Sequence, residues 1–334
     1  MSPKPKIAVV GAGAIGSLIG GLLCRAGEDV TLIARPAHVE AIRKNGLCIE
    51  GILGTLSIPV KAAATLAFHP DLVLLAVKTQ DVEATCRQIK GYVQNIPILT
   101  LQNGVTSDSI AASILPREAI LSGVVMLNAQ FMIPGQILYA RPGALVIGEA
   151  FGPNGQRVRE IQTLLRGAIR TKISNNIQGV HWTKLLVNNL GNGLEAMTGR
   201  SIRDCMRHPG LKRIGLLALR ESHQVIEKAG FPLAPLPGVP AFALQLILRA
   251  PLPLAEGLLT LSMDSLKTLS STLQSLRRGR PTEIDYLNGE IVRLGKHTGL
   301  PTPYNSRVVE IVKEVERSGQ FQTADELVRR FSSS

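Results

Sequence analysis

Up to residues 173 to 178 the apolar positions of this chain fall in short unbroken runs; beyond them they recur at helical spacing. Ile7 to Val10 is a β-branched run that suits a strand buried on both faces. Ala14 to Ala26 is acceptable to a helix throughout, Gly27 sits where a helix stops, and Val30 to Ala34 supplies a second strand. Pro36 to Asn45 reads as a helix ending at Gly46, ahead of short strands near Leu47 to Glu50 and Leu56 to Val60. Asp71 to Val77 and Ile96 to Leu101 are further apolar strands. Ala119 to Leu127, Gln136 to Ala140 and Ala144 to Ile147 read as strands with a hairpin at Arg141-Pro142-Gly143, before a helix at Asn154 to Arg166 and a last strand at Arg170 to Ile173.

Beyond that point strand signals stop, which predicts a mixed α/β domain over residues 1–175 and an all-helical one over 176–334. The second opens with His181-Trp-Thr-Lys184-Leu-Leu-Val-Asn188-Asn189-Leu-Gly-Asn192. Lys184, Asn188 and Asn192 are four residues apart, so on a helix they fall within about 80° of one another, with Leu185, Leu186, Val187 and Leu190 opposite. A solvated face is the ordinary reading of such a stripe. Three asparagines in a helix nevertheless need a reason, since asparagine is a poor helix former. One ammonium and two amides supply a proton source and fixed donors for a carbonyl or carboxylate. Pro209 to Ala229 is an amphipathic helix closed by Gly230. Phe231 to Pro253 is proline-rich and aliphatic, read as core packing by default and otherwise as a lid, packing arm or subunit contact. Leu254 to Leu276 reads as helical, Thr282 as an N-cap with Asp285 at its third position, Thr302 to Asn305 as a helix start, and Asp325 to Phe331 as a last helix.

The 334 residues exceed the usual size of one domain, which agrees with two. A net charge of +12 raises nucleic acid as a partner, but the bases are scattered, aromatics are only 4%, and the densest run, Arg277-Arg278-Gly279-Arg280, is short. The field suits an anionic cofactor and substrate instead. Cys24, Cys48, Cys86 and Cys205 form no metal-ligand spacing, so the expectation is a reduced, cytoplasmic protein without a metal. No uninterrupted apolar segment reaches the roughly 18 residues of a membrane span. Oligomeric state is left open, a homodimer included.

Chemistry concentrates at the first turn. Gly11-Ala12-Gly13-Ala14-Ile15-Gly16 follows a strand, opens a helix and leads into a second strand. Gly11 allows the bend, Gly13 lets backbone amides approach a pyrophosphate, and Gly16 lets the helix lie against the strand. The phosphates of a dinucleotide then meet the free N–H groups of the helix start. Where an NAD site carries an acidic residue, this chain has Ala34 and Arg35. A guanidinium suits a 2′-phosphate, so the expected cofactor is NADP(H), unless Arg35 is only a solvated loop residue. Lys78 and Asn103 follow two further strands and so stand at the expected cofactor edge.

Together GAGAIG at 11–16, Lys78, Gln102-Asn103-Gly104, Lys184-x3-Asn188-x3-Asn192, Ser270-Ser271 with Gln274, the run from Gly279 to Gly289, and Pro303-x-Asn305 resemble the ketopantoate reductase (2-dehydropantoate 2-reductase) family, from residue 7 to about 316. The resemblance implies a Rossmann-type N-terminal domain and an all-α C-terminal domain of the 6-phosphogluconate-dehydrogenase-like kind. It implies NADPH-dependent reduction of ketopantoate to pantoate, toward pantothenate and coenzyme A, at the cleft between them. It makes Lys184 the general acid and assigns Asn188, Asn192, Ser271 and Asn103 to the keto acid. Lys78, Asn103, Ala129 and Glu283 go to the cofactor. The family commonly reads S-S-M-x-Q-D where this chain has Thr272 and Ser275 in place of methionine and aspartate, and a further substrate asparagine has no match after Gly193. Another branched or aromatic 2-keto acid is therefore the alternative substrate. A non-catalytic NADP(H) sensor is the alternative class, against which Lys184 and Glu283 argue.

Overall fold

The structure, a computed structural model, describes residues 3–263 and 269–332. The chain divides into two compact units, Met1–Ile177 and Gln178–Ser334.

The first unit runs β1 (Lys6–Val10), α1 (Ala14–Arg25), β2 (Asp29–Ile33), α2 (Pro36–Asn45), β3 (Leu47–Gly51), β4 (Leu56–Ile58), β5 (Lys61–Ala63), β6 (Leu72–Leu75), α3 (Val82–Ile89), β7 (Ile98–Thr100) and α4 (Ser107–Ala112). It continues through β8 (Ile120–Val125), β9 (Asn128–Ile133), β10 (Gln136–Arg141), β11 (Leu145–Glu149), α5 (Gln156–Arg166) and β12 (Thr171–Ile173). The main sheet has the order β12-β11-β8-β7-β6-β1-β2-β5, and its strands from β5 to β8 are parallel. That is the strand order of doubly wound dinucleotide folds, with the order reversing beside β1. β11 runs antiparallel to β8 and parallel to β12.

A second sheet, β4-β3-β10-β9, covers the far side of α1. This explains why α1 is buried without interruption from Gly16 to Leu23. A Cβ on Gly20 would overlap Leu32 of the main sheet, and one on Gly21 would come within 2.7 Å of Leu47 and 2.9 Å of Ile49 in the small sheet. The helix is thus clamped from both sides, and overpacking at either glycine would push a sheet away at about 1–3 kcal/mol.

The small sheet corrects the hairpin expected at Arg141-Pro142-Gly143. β10 pairs with β9 and β3, whereas β11 belongs to the main sheet, so this turn carries the chain from one sheet to the other. The reason is pairing with β8: Gly143 lies so close to Met126 that a Cβ would overlap its carbonyl, and Met126 N–H donates to Ala144 O at 2.9 Å, which continues the β8–β11 ladder.

The second unit holds α6 (Ile177–Thr198), α7 (Ile202–Arg207), α8 (Pro209–Lys228), α9 (Ala241–Arg249), α10 (Leu252–Met263), α11 (Ser271–Leu276), α12 (Asn288–Thr298), α13 (Pro303–Ser318) and α14 (Ala324–Ser332). Glycines let neighbours approach α6: Ile202 stands 3.2 Å from a Cβ on Gly191, Val308 2.6 Å from one on Gly193, and Leu194 2.8 Å from one on Gly215 of α8. α8 ends in Gly230 at φ +78, as its position predicted.

Two helix expectations change. Leu254 to Leu276 is not one continuous helix among the described residues: α10 and α11 flank residues 264–268, which lie outside them, and Ser270 caps α11 by accepting from Leu273 N–H at 3.2 Å. Thr282 caps no α-helix. Its hydroxyl accepts from Ile284 N–H at 3.2 Å and starts a 3-10 turn, Ile284–Tyr286, with α12 beginning at Asn288. The Phe231 to Pro253 segment packs on the start of α6: Phe231 stacks on Trp182 at 4.7 Å, and Thr183 donates to Ala234 O at 2.8 Å.

Candidate functional site

In the first unit the loops after β1, β2, β6 and β7 are among those that leave the carboxyl edge of the parallel sheet. The turn after β1 has Gly11 at φ +92, and a Cβ there would lie 2.5 Å from Val77 N. A Cβ on Gly16 would lie 2.6 Å from Gly11 O. Glycine is required at both, first by the backbone and then by close approach. Gly13 differs. It is the N-cap of α1, no side chain caps that helix, and a Cβ there would meet nothing nearer than Gly11 O at 4.0 Å. The first-turn N–H groups of Ala14, Ile15 and Gly16 thus face a cradle that a Cβ would begin to fill, which fits a pyrophosphate.

The other loops converge on this turn. Ala12 N–H donates to Ile33 O at 2.9 Å, which ties the turn to the end of β2, and Arg35 follows as the exposed N-cap of α2. Gln102 donates to Leu75 O at 2.8 Å and to Val77 O at 3.1 Å, and Thr79 donates to Asn103 O at 3.0 Å. These bonds lock the β6 and β7 loops together, so half-buried Lys78 and Asn103 stand on adjoining strand ends. Ala129 follows the carboxyl end of β8, the next parallel strand, and enters β9 of the small sheet, where it is 6% exposed and part of the core around α1.

In the second unit the stripe on α6 is drawn by burial. From Gly179 to Thr198 every residue is buried except Lys184, Val187, Asn188, Gly191 and Asn192, which are half-buried. At 100° per residue these five form one continuous face. Val187, expected opposite the stripe, belongs to its edge, because it sits about 60° from Lys184. Leu185, Leu186 and Leu190 are core.

Burial lowers the Lys184 ammonium to about 8, and the nearby Glu283 carboxylate works in the opposite sense. Glu283, 5% exposed, is the N-cap of the 3-10 turn, and its neighbour Thr282 is anchored where its N–H donates to Glu316 at 2.7 Å. The result is a desolvated cation close to neutral pH, the state that suits a proton donor.

Ser271 reaches α6 through a residue that the sequence did not single out. Glu195 is 1% exposed and lies on the face that carries Lys184. It accepts Ser270 N–H at 2.6 Å and Ile202 N–H at 2.8 Å, so half-buried Ser271 opens α11 against the far end of the stripe. Thr272 is buried, with no partner for its hydroxyl among the described residues. Ser275 donates to Ser271 O at 3.0 Å.

The remaining asparagines are structural. Asn305 donates to Ala218 O at 3.0 Å and Glu221 at 2.7 Å, and accepts from Asn288 at 2.8 Å. Glu221 accepts Tyr304 and Asn305 N–H and so caps α13. Asn189, 2% exposed, points its amide at Ser222 of α8, 3.4 Å away. Among the described residues no cluster of acidic, histidine or cysteine side chains could hold a metal.

Comparison with known proteins supplies the remaining finding. Residues 7–152 match the model for ketopantoate reductase PanE/ApbA, and residues 176–316 match that for its C-terminal part. The chain belongs to the ketopantoate reductase family. It is 32% identical over 322 residues to a 2-dehydropantoate 2-reductase of Pyrococcus horikoshii, covering 94% of this chain and 98% of that one. Among solved structures, a ketopantoate reductase of this family from Ralstonia eutropha superposes with a TM-score of 0.81 at 31% identity, over 93% of this chain and 98% of that one. A D-mandelate dehydrogenase solved with NADH and anilino(oxo)acetate superposes at 0.82 with 25% identity, over 94% and 99%. This chain is therefore an oxidoreductase of the ketopantoate reductase family, and that neighbour supports a nicotinamide cofactor. Among the described residues no helix is long and apolar enough to cross a membrane.

Proposed function

We propose that this chain reduces ketopantoate to pantoate with NADPH, with Lys184 as proton donor. The observation that carries the reading is the Lys184 ammonium. It stands half-buried on the single uncovered face of α6, in line with Asn188 and Asn192, with its pKa brought to about 8 beside Glu283.

A nicotinamide, when bound, supplies hydride to the 2-oxo carbon. Negative charge then gathers on the former carbonyl oxygen, and Lys184 both stabilises it and donates the proton. Asn188 and Asn192 offer amide N–H groups and Ser271 a hydroxyl to hold the keto acid, while Asn103 serves substrate and cofactor together. The first-turn amides from Ala14 to Gly16 take the pyrophosphate, and the exposed Arg35 guanidinium takes the 2′-phosphate. Lys78 adds positive charge at the same edge, and Glu283 supports the ammonium. On this reading the first unit carries the dinucleotide and the second the substrate. Four free thiols suit a reducing, cytoplasmic setting.

A second reading keeps the chemistry and changes the acid. Another branched or aromatic 2-oxo acid is the alternative: the superposition on D-mandelate dehydrogenase solved with anilino(oxo)acetate supports an aromatic one, and Thr272 and Ser275, where the family commonly has methionine and aspartate, leave the acid open. Oxidation of NADPH and of NADH should be followed with ketopantoate, other branched 2-oxo acids and an aryl 2-oxo acid. The expected result is highest kcat/KM for ketopantoate with NADPH. A higher value for an aryl acid selects the second reading, and cofactor binding without turnover of any acid overturns both.

A further inference from the structure

Beneath the glycine turn runs a buried relay that none of the site residues explains. Ser17, in the first turns of α1, is fully buried, and its hydroxyl donates to Ala12 O at 3.0 Å. On its other side His38 Nε2 stands 3.0 Å away. His38 is 3% exposed, sits three residues after Arg35 on α2, and its N–H donates to Arg35 O at 2.9 Å.

The direction of each bond can be assigned. Gly135 N–H, in the turn between β9 and β10, donates to His38 Nδ1 at 2.8 Å. The Nδ1 lone pair is therefore in use and the neutral ring carries its proton on Nε2. Nε2–H donates to Ser17 Oγ, which leaves the one hydroxyl hydrogen of Ser17 for Ala12 O. The Phe131 ring, 4.8 Å from the imidazole centre, limits rotation. Burial, reinforced by the Arg35 guanidinium, pulls the imidazole down to about 4. The neutral form that can accept from Gly135 thus holds at ordinary pH.

The consequence lies in the turn itself. Ala12 N–H is fixed by Ile33 O at 2.9 Å, and its carbonyl by Ser17, so both peptide groups flanking Ala12 are held although no side chain caps α1. We propose that Ser17 and His38 are positioning residues for the cofactor, acting through the Ala12 carbonyl to aim the first amides of α1 at the pyrophosphate. The inference rests on the reading that this turn holds NADPH. It extends that reading by coupling the pyrophosphate cradle to α2, the helix that begins beside Arg35. Both side chains are buried beneath the turn, so their action runs through the backbone.

The test compares two ligands, NADPH and 2′-AMP, by isothermal titration. 2′-AMP carries the phosphate assigned to Arg35 but lacks the pyrophosphate. Ser17→Ala is expected to weaken NADPH about tenfold, with 2′-AMP affinity and kcat at saturating NADPH within about twofold of wild type. His38→Asn keeps an acceptor for Gly135 but loses the donor to Ser17, and should reproduce the effect. His38→Gln keeps a donor at the Nε2 position and should restore most of the affinity. The double variant Ser17→Ala/His38→Asn should be no weaker than either single one, because both break one chain of bonds. NADPH affinity within twofold of wild type in both single variants would overturn the relay. So would equal weakening of NADPH and 2′-AMP, which marks a loosened fold. Failure of the wild-type chain to bind NADPH would instead remove the reading beneath it.

Discussion

Replacing Glu283 by glutamine removes a carboxylate that holds the Lys184 ammonium up against burial. The sign follows from the two opposing effects. Burial favours neutral lysine and lowers its pKa, whereas an adjacent negative charge favours the ammonium and raises it. Wild-type lysine at about 8 is the balance of the two. An opposite charge within hydrogen-bonding reach or a little beyond shifts a pKa by about 1–3 units, so losing it should bring the ammonium down by about one unit or more. A general acid works only while protonated, so kcat falls tenfold per pH unit above its pKa. At pH 8 about half of the wild-type lysines carry the proton, against roughly one in ten after a one-unit drop, a loss of about fivefold in kcat. At pH 6 both forms are protonated and the two enzymes should converge. The assay is kcat for keto-acid reduction from pH 6 to 9.5, with both substrates saturating so that weakened binding does not enter. An alkaline limb in Glu283→Gln that coincides with wild type, or lies above it, would refute the coupling.

Arg35→Ala should reduce any preference for NADPH over NADH at least tenfold in kcat/KM and leave the NADH value within twofold. An unchanged ratio would return Arg35 to the solvent. Glu195→Gln should raise KM for the keto acid several-fold while KM for NADPH stays put, because the amide keeps one acceptor oxygen for the two N–H groups of Ser270 and Ile202 and so loosens the docking of Ser271. Equal changes in both constants would contradict that role. Asp108, 2% exposed, accepts Thr100 Oγ–H at 2.5 Å and Ser122 Oγ–H at 2.6 Å, joining α4 to β7 and β8. Asp108→Ala should lower stability by about 2–3 kcal/mol in urea unfolding, against less than 0.5 if these bonds are worth little.

What could be read from the sequence was what short-range constraint imposes. The GAGAIG turn was legible because each glycine answers a local demand, a φ of +92 at Gly11 and a neighbour at 2.6 Å at Gly16. The Lys184 stripe was legible because helical spacing carries it. β9 was not, since the alternation of Asn-Ala-Gln-Phe is short and breaks at Met132-Ile133, and the strand pairs with β10, which in turn pairs with β3 far back in the chain. The hairpin misassigned to Arg141-Pro142-Gly143 fails for the same reason, because pairing outweighed a local turn signal. Glu195 and His38 gave no signal at all. Their partners lie 75 and 97 residues away, and a buried polar group is recognisable only once its distant donor is in place.

The central claim is that one ammonium delivers the proton. Lys184→Met, which keeps the volume of the side chain and removes its charge, tests it most directly when NADPH binding and single-turnover reduction of ketopantoate are measured on the same preparation. Affinity for NADPH should stay within about threefold while the reduction rate falls by about 10²–10⁴. A rate within tenfold of wild type, with NADPH bound normally, would contradict it.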